Sequence, residues 1–232
     1  MKRIFSFLVI LCFAFNLQAA HVEVGAEQTK QYLPLLMGKR VALLSNHTGI
    51  VIQGNDTIHT LDLLLQHGVE VTAIFSPEHG FRGTAREGEH VASSVDPKTG
   101  IPILSLYDGK SYRPSKEAMA SFDILITDIQ DVGLRFYTYY ITMFRLMDAC
   151  AHEGKQFIVF DRPNPNGWYV DGPILDMKHK SGVGALPIPV VHGMTLGELA
   201  LMINGEGWLK DGAKVDLTVV PCKNYTHQTL YR

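Results

Sequence analysis

Short apolar runs alternate along this chain with segments whose apolar residues return at helical spacing. Residues 40–45 (RVALLS), 69–76 (VEVTAIFS), 102–107 (PILSLY), 122–127 (FDILIT), 156–160 (QFIVF) and 215–220 read as strands with apolar residues on both faces. Between them lie helical patterns. Residues 26–36 form a short amphipathic stretch. Asn55 or Asp56 is placed to cap a helix whose stripe is Ile58, Leu61, Leu64 and Leu65, with Gly68 at its end. Ser115 is placed to cap a short helix, and residues 136–152 carry Phe136, Tyr140, Phe144 and Met147 as one stripe. Thr195 and Glu198 form a capping box ahead of a helix reaching residue 204. Residues 161–191 crowd Pro and Gly without a period and read as a long loop region. Strands alternating with amphipathic helices predict an α/β protein: a doubly wound, mostly parallel sheet with helices on both faces.

The first twenty residues stand apart from this pattern. Lys2 and Arg3 precede an apolar run from Ile4 to Phe15, which gives way to polar and small residues ending in Ala19-Ala20. That is the layout of a secretory signal peptide, too short for a membrane span of about 20 apolar residues. Cleavage near Ala20 predicts an exported protein, periplasmic or extracellular, free of the membrane afterwards. A hydrophobic fraction of 46% with 19% charged residues excludes a disordered chain. The net charge of −2 gives no electrostatic case for nucleic acid. Cys150 and Cys222 remain beyond the leader, and no Cys/His spacing for a metal is present.

The chemistry-bearing residues cluster by position. In an open parallel sheet, ligands bind beyond the carboxyl ends of the strands. Asn46-His47-Thr48-Gly49 follows the first strand, and Pro77-Glu78-His79-Gly80 the second. Asp128, Gln130, Asp131, Arg135, Tyr137 and Tyr139 follow the fourth, and Asp161-Arg162-Pro163-Asn164 the fifth. Each stretch alone is ordinary turn chemistry; their agreement on one edge is what points to a site. Glu78 with Asp128, Asp131 or Asp161 offers the paired carboxylates of glycoside hydrolysis. Arg82, Arg135 and Arg162 suit a carboxylate or phosphate. Tyr137, Tyr139 and Trp168 offer flat faces for a sugar ring, although Tyr139 fits core packing equally well. Competing chemistries lack their signatures: there is no HExxH, no GxSxG elbow and no GxGxxG after the first strand. His79 with the three aspartates keeps a metal-dependent hydrolase open.

Taken together, SNHTG, SPEHGFRG, GEHV (88–91), VDPKTGIPILSLY, DIQDVGLRFYTY, DRPNPNG and HGMTLGELA resemble the exo-β-N-acetylmuramidase (NamZ-like) family. The resemblance runs from about Gly38 to the end of the sequence. It implies a Rossmann-like domain followed by a smaller C-terminal domain, with the site between them. It implies an exo-acting glycoside hydrolase that releases terminal N-acetylmuramic acid from the non-reducing end of peptidoglycan fragments, without a cofactor. Muropeptides or glycan ends are then the partners. The implied organisation is a signal peptide at 1–20, the Rossmann-like catalytic domain at 21–192, and a helix and strand at 193–232 leading into an incomplete C-terminal domain. Glu78 is the implied catalytic residue, with Asp128 or Asp131 as its partner carboxylate. The implied substrate contacts are Asn46, His79, Arg82, Glu89, Gln130, Arg135, Tyr137, Asp161, Arg162 and His192, to which the aromatic pattern of the rim adds Tyr139. Because the family's chains are longer, a non-catalytic module that binds wall fragments is the alternative.

Overall fold

The computed structural model describes residues 21–77, 81, 94–106 and 113–230. The leader at 1–20 and the candidate residues Glu78, His79, Arg82 and Glu89 lie outside the described residues.

The buried strands assemble into one seven-stranded sheet. The strands are β1 (Arg40–Ser45), β4 (Glu70–Ser76), β5 (Ser94–Val95), β6 (Pro102–Ser105), β7 (Ile124–Asp128), β8 (Gln156–Phe160) and β9 (Asp216–Val220), in the spatial order β5-β6-β4-β1-β7-β8-β9. All neighbours pair in parallel except the two-residue edge strand β5, which runs antiparallel to β6. Valine, leucine and isoleucine fill both faces of β1 and β7, and both strands are buried almost end to end. Such strands are stable only when helices cover both faces. On one face, α1 (Thr29–Leu36) and α2 (Thr60–Gln66) bring Tyr32, Leu36, Leu61 and Leu64 onto Val41, Leu43, Ile124 and Ile126. On the other, α3 (Lys116–Ala120), α4 (Tyr139–His152) and α5 (Leu196–Gly205) pack Met119, Met143, Leu146, Leu199 and Ile203 onto Leu44, Phe75, Leu125 and Val159. The result is a doubly wound α/β sheet of Rossmann-like architecture. β9 is the edge strand opposite β5 and α5 packs against it, so residues 196–220 belong to this sheet and its helical layer.

Two local expectations change. No helix starts at Asn55. Residues 50–59 form a hairpin of β2 (Ile50–Gln53) and β3 (Asp56–His59), closed by Gly54-Asn55 with Gly54 at φ +63°. A two-residue turn with glycine at positive φ matches strand twist, and Ile50, Val51, Ile52, Thr57 and Ile58 are all β-branched. Helix α2 therefore begins only at Thr60, and its cap is His59, whose Nδ1 accepts from the Leu61 amide at 3.1 Å. Likewise α4 starts at Tyr139, and Phe136 precedes the helix and stands 56% exposed. By contrast, the Thr195–Glu198 capping box forms at the head of α5.

The strand order places the topological switch at β1 and β7. The chain leaves β1 towards β4 and β6, then returns to the opposite side of β1 for β7. Loops leaving two such strands diverge and open a crevice at the carboxyl edge. The register fixes what stands there: Ser45 pairs with Asp128, and Ser76 with Ser105.

Candidate active site

The loop after β1 is set by a chain of short polar contacts. Asn46 Oδ1 accepts from the Thr48 amide at 2.9 Å and the Thr48 hydroxyl at 2.6 Å. Thr48 Oγ1 in turn accepts from the Gln130 amide at 3.0 Å, joining this loop to the one after β7. His59 Nε2 lies 2.8 Å from the Asn46 carbonyl. Because its Nδ1 already accepts, the Nε2 proton is the one donated. Gly49 packs closely here: a Cβ would stand 2.1 Å from Ser45 Oγ, which would have to move to admit it.

The three candidate aspartates have separate environments. Asp128 is wholly buried at the end of β7. Arg162 grips it with Nε to Oδ1 at 2.6 Å and Nη2 to Oδ2 at 3.0 Å, and Thr60 donates its hydroxyl to Oδ2. Arg162 Nη2 also donates to the Ile50 carbonyl at 2.9 Å, so one guanidinium ties the hairpin, β7 and the loop after β8. A two-pronged, charge-assisted pair of this kind is well suited to holding geometry.

Asp161 sits at the head of α5. Its Oδ1 accepts from the Gly197 and Arg162 amides at 2.8 and 3.0 Å, and its Oδ2 from the Thr195 hydroxyl at 2.7 Å. Burial raises its pKa to about 6 against the pull of those donors. Gly197 is what lets the carboxylate approach, because a Cβ there would lie 2.7 Å from both Asp161 Cγ and Val219 Cγ1. Gly197→Ala is therefore expected to destabilise. Overpacking costs about 1–3 kcal/mol, against a helix-propensity gain of about 0.5–1 kcal/mol. Urea unfolding would show a lowered midpoint, and an unchanged or raised midpoint would refute the tight contact.

Asp131 is less committed. It is 6% exposed, and its Oδ1 accepts from the Gly133 amide at 2.8 Å. Burial raises its pKa to about 7, opposed by the Gly133, Val132 and Tyr140 backbone amides. Its Oδ2 has no hydrogen-bond partner among the described residues. His192, bridged through its own amide to the Gly133 carbonyl, is 4% exposed. Its Nδ1 accepts from the Met194 amide at 3.3 Å, so the proton belongs on Nε2, which also has no partner among the described residues. Burial lowers the His192 pKa to about 4, leaving a neutral ring that donates.

Buried polar atoms are normally paired, and each exception calls for a reason. Among the described residues the unpaired ones are Asn46 Nδ2, Ser76 Oγ, Thr127 Oγ1, Asp131 Oδ2 and His192 Nε2. Asn46, Ser76, Thr127 and Asp131 lie at the carboxyl ends of β1, β4 and β7, and His192 is bridged to Gly133 in the loop after β7. A small cavity of about 10 Å³ is lined there by Asp131, Arg162, Asn164 and Thr195. A larger cavity of about 540 Å³ lies between the hairpin and residues 21–27, lined by Glu23, Glu27, Ile52 and His67. It contains none of the candidate residues, whereas the unpaired polar groups gather at the carboxyl edge.

The remaining candidates divide by role. Gln130 Nε2 donates to the Asp131 and Pro163 carbonyls at 2.7 and 2.8 Å, clasping two loops. Arg135 spends one nitrogen on the Pro173 and Ile188 carbonyls, both at 2.7 Å, and so braces the 161–191 loop region. Tyr137 and Tyr139 meet edge to face at 4.8 Å, with Tyr139 buried in the core. His59, Thr60 and Asn166 join these residues without having stood among the sequence candidates. The Gly-Asn turn before β3 was the available signal for His59; Thr60 carried none. Cys150 and Cys222 are separate thiols, and Cys222 donates to the Asp161 carbonyl at 3.2 Å.

Comparison with known proteins places this arrangement. The chain is 45% identical over 196 residues to peptidoglycan β-N-acetylmuramidase NamZ of Bacillus subtilis (strain 168), covering 84% of this chain and 45% of that protein. Two crystal structures of DUF1343 family proteins from Bacteroides fragilis NCTC 9343 superpose with TM-scores of 0.81. One is 62% identical, covering 92% of this chain and 55% of its own; the other is 39% identical, covering 90% and 52%. The chain thus spans about half the length of these relatives. Residues 41–232 match the family described as exo-β-N-acetylmuramidase NamZ, N-terminal, and the chain belongs to that family.

Proposed function

We propose that this chain supplies the Rossmann-like half of an exported glycoside hydrolase acting on peptidoglycan, which releases N-acetylmuramic acid from non-reducing ends. The observation that carries the reading is the set of unpaired buried polar atoms around Asp131 at the switch-point edge, in a chain 45% identical to a peptidoglycan β-N-acetylmuramidase. Glu78, directly after Pro77 at the end of β4, is the proton donor to the leaving oxygen in this reading. Asp131 is the partner carboxylate, because Asp128 and Asp161 have their oxygens engaged by Arg162, Thr60, Thr195 and Gly197. A pKa near the working pH is what a general base needs. Asn46 Nδ2 and His192 Nε2 are donors for the sugar's oxygens. Arg82 is the counter-charge for the lactyl carboxylate, since Arg135 and Arg162 are bound internally. The leader at 1–20 directs the protein across the inner membrane.

The test is the full-length protein with an aryl glycoside of N-acetylmuramic acid and with glycan fragments carrying that sugar at the non-reducing end. The expected products are the aryl alcohol and free N-acetylmuramic acid, and turnover persists in excess chelator. Calorimetric binding without product would favour a binding module. Turnover lost to chelator and restored by a divalent metal would favour a metal-dependent hydrolase, for which the described residues hold no group of three ligands.

A further inference from the structure

Trp168 is a large aromatic side chain left 55% exposed on the turn after β8. Its ring lies against Tyr169 with centroids 4.3 Å apart, which limits its rotation. The turn itself is pinned from three sides. Asn166 Nδ2 donates to the Val132 carbonyl at 2.8 Å, one residue past Asp131. Gly167 offers its carbonyl to His227 Nδ1 at 2.9 Å. On the far flank, the Tyr169 carbonyl packs against Gly193, where a Cβ would stand 3.1 Å away, one residue past His192. The turn that carries the indole is therefore held beside the two segments that carry Asp131 and His192. The indole also lies further out, since Asp131 and His192 are 6% and 4% exposed.

From this arrangement we infer that Trp168 is a stacking platform for a second sugar of the glycan, the one beyond the bond being cut. The inference rests on the proposed function and adds a chain-length preference to it. The face of a pyranose ring is a row of C–H bonds edged with hydroxyls, and an indole presents an apolar body with one polar handle. A chain whose terminal sugar reaches the buried groups leaves its next ring at the level of the exposed rim. Ring stacking on aromatic side chains strengthens nucleic-acid binding by about 5- to 150-fold per ring, which sets the scale for a sugar.

The experiment uses the full-length protein with Trp168→Ala and Trp168→Phe, and compares kcat/KM for a glycan of several sugars with that for the aryl muramic-acid glycoside. In Trp168→Ala the ratio of the two should fall about tenfold, carried by KM for the glycan, while Trp168→Phe keeps most of it. A ratio unchanged in Trp168→Ala overturns the platform. If the parent turns over neither substrate, the functional reading has failed, and calorimetry with the glycan decides the platform alone. Binding about tenfold weaker in Trp168→Ala supports it, and equal binding overturns it.

Discussion

Arg162→Met is expected to cost about 3–5 kcal/mol of folding stability, the usual penalty for removing one partner of a buried ion pair. Asp128 is wholly buried, and its carboxylate has only Arg162 and the Thr60 hydroxyl as described side-chain donors. Methionine fills much of the arginine's volume but leaves that charge uncompensated in a site with no solvent access. Against a typical total of about 5–15 kcal/mol, the loss is large enough to lower a denaturant midpoint by a wide margin. The diagnostic control is Asp128→Asn with Arg162→Met. With both charges gone the desolvation penalty disappears, and the double variant should recover at least half of the loss, a coupling that a double-mutant cycle reads directly. Simple additivity would mean the pair is not coupled, and Arg162 would then act only through the Ile50 carbonyl.

That pair also shows where sequence stops. The strands were legible because β1, β7 and β8 are apolar on successive residues, a pattern that only a two-sided burial explains. The carboxyl-edge clustering followed from strand direction alone. The hairpin at 50–59 was missed because Leu61, Leu64 and Leu65 continue a helical stripe backwards onto Ile58, although Gly54-Asn55 between β-branched runs is a turn signal. The partition of the aspartates was not legible at all. Asp128 is in the ladder and shares the face of Ile124 and Ile126, whereas Asp131 lies three residues on, past the strand end, where the path depends on tertiary contacts. Arg162, read as a clamp for substrate, spends its guanidinium on Asp128 for the same reason: its partner lies 34 residues away in the chain.

Under the proposed function, Asp131→Asn is expected to lower turnover of the full-length protein by about 10² to 10⁴, the range for losing a general acid or base, and Glu78→Gln to do the same. The two should separate in their pH signatures. Burial holds the Asp131 pKa at about 7 in the folded protein, well above the ordinary carboxylate value of about 3.8. Below pH 4 the carboxyl is protonated in both folded and unfolded chains and costs nothing. Between pH 4 and 7 the unfolded chain ionises first, so the folded state binds the extra proton and stability falls as pH rises. That rise corresponds to about 4 kcal/mol in total, complete above pH 7. The asparagine variant lacks this slope. Its stability relative to the parent should therefore improve by about 4 kcal/mol from pH 4 to pH 8, whatever constant offset the amide's own unpaired N–H adds. Its activity should lose the limb that rises towards pH 7, because the base works only when ionised. A variant that gains stability at neutral pH while losing turnover marks a residue whose burial serves chemistry. If the stability difference is flat across that range, Asp131 ionises at an ordinary pH, and the case for it as the partner base collapses.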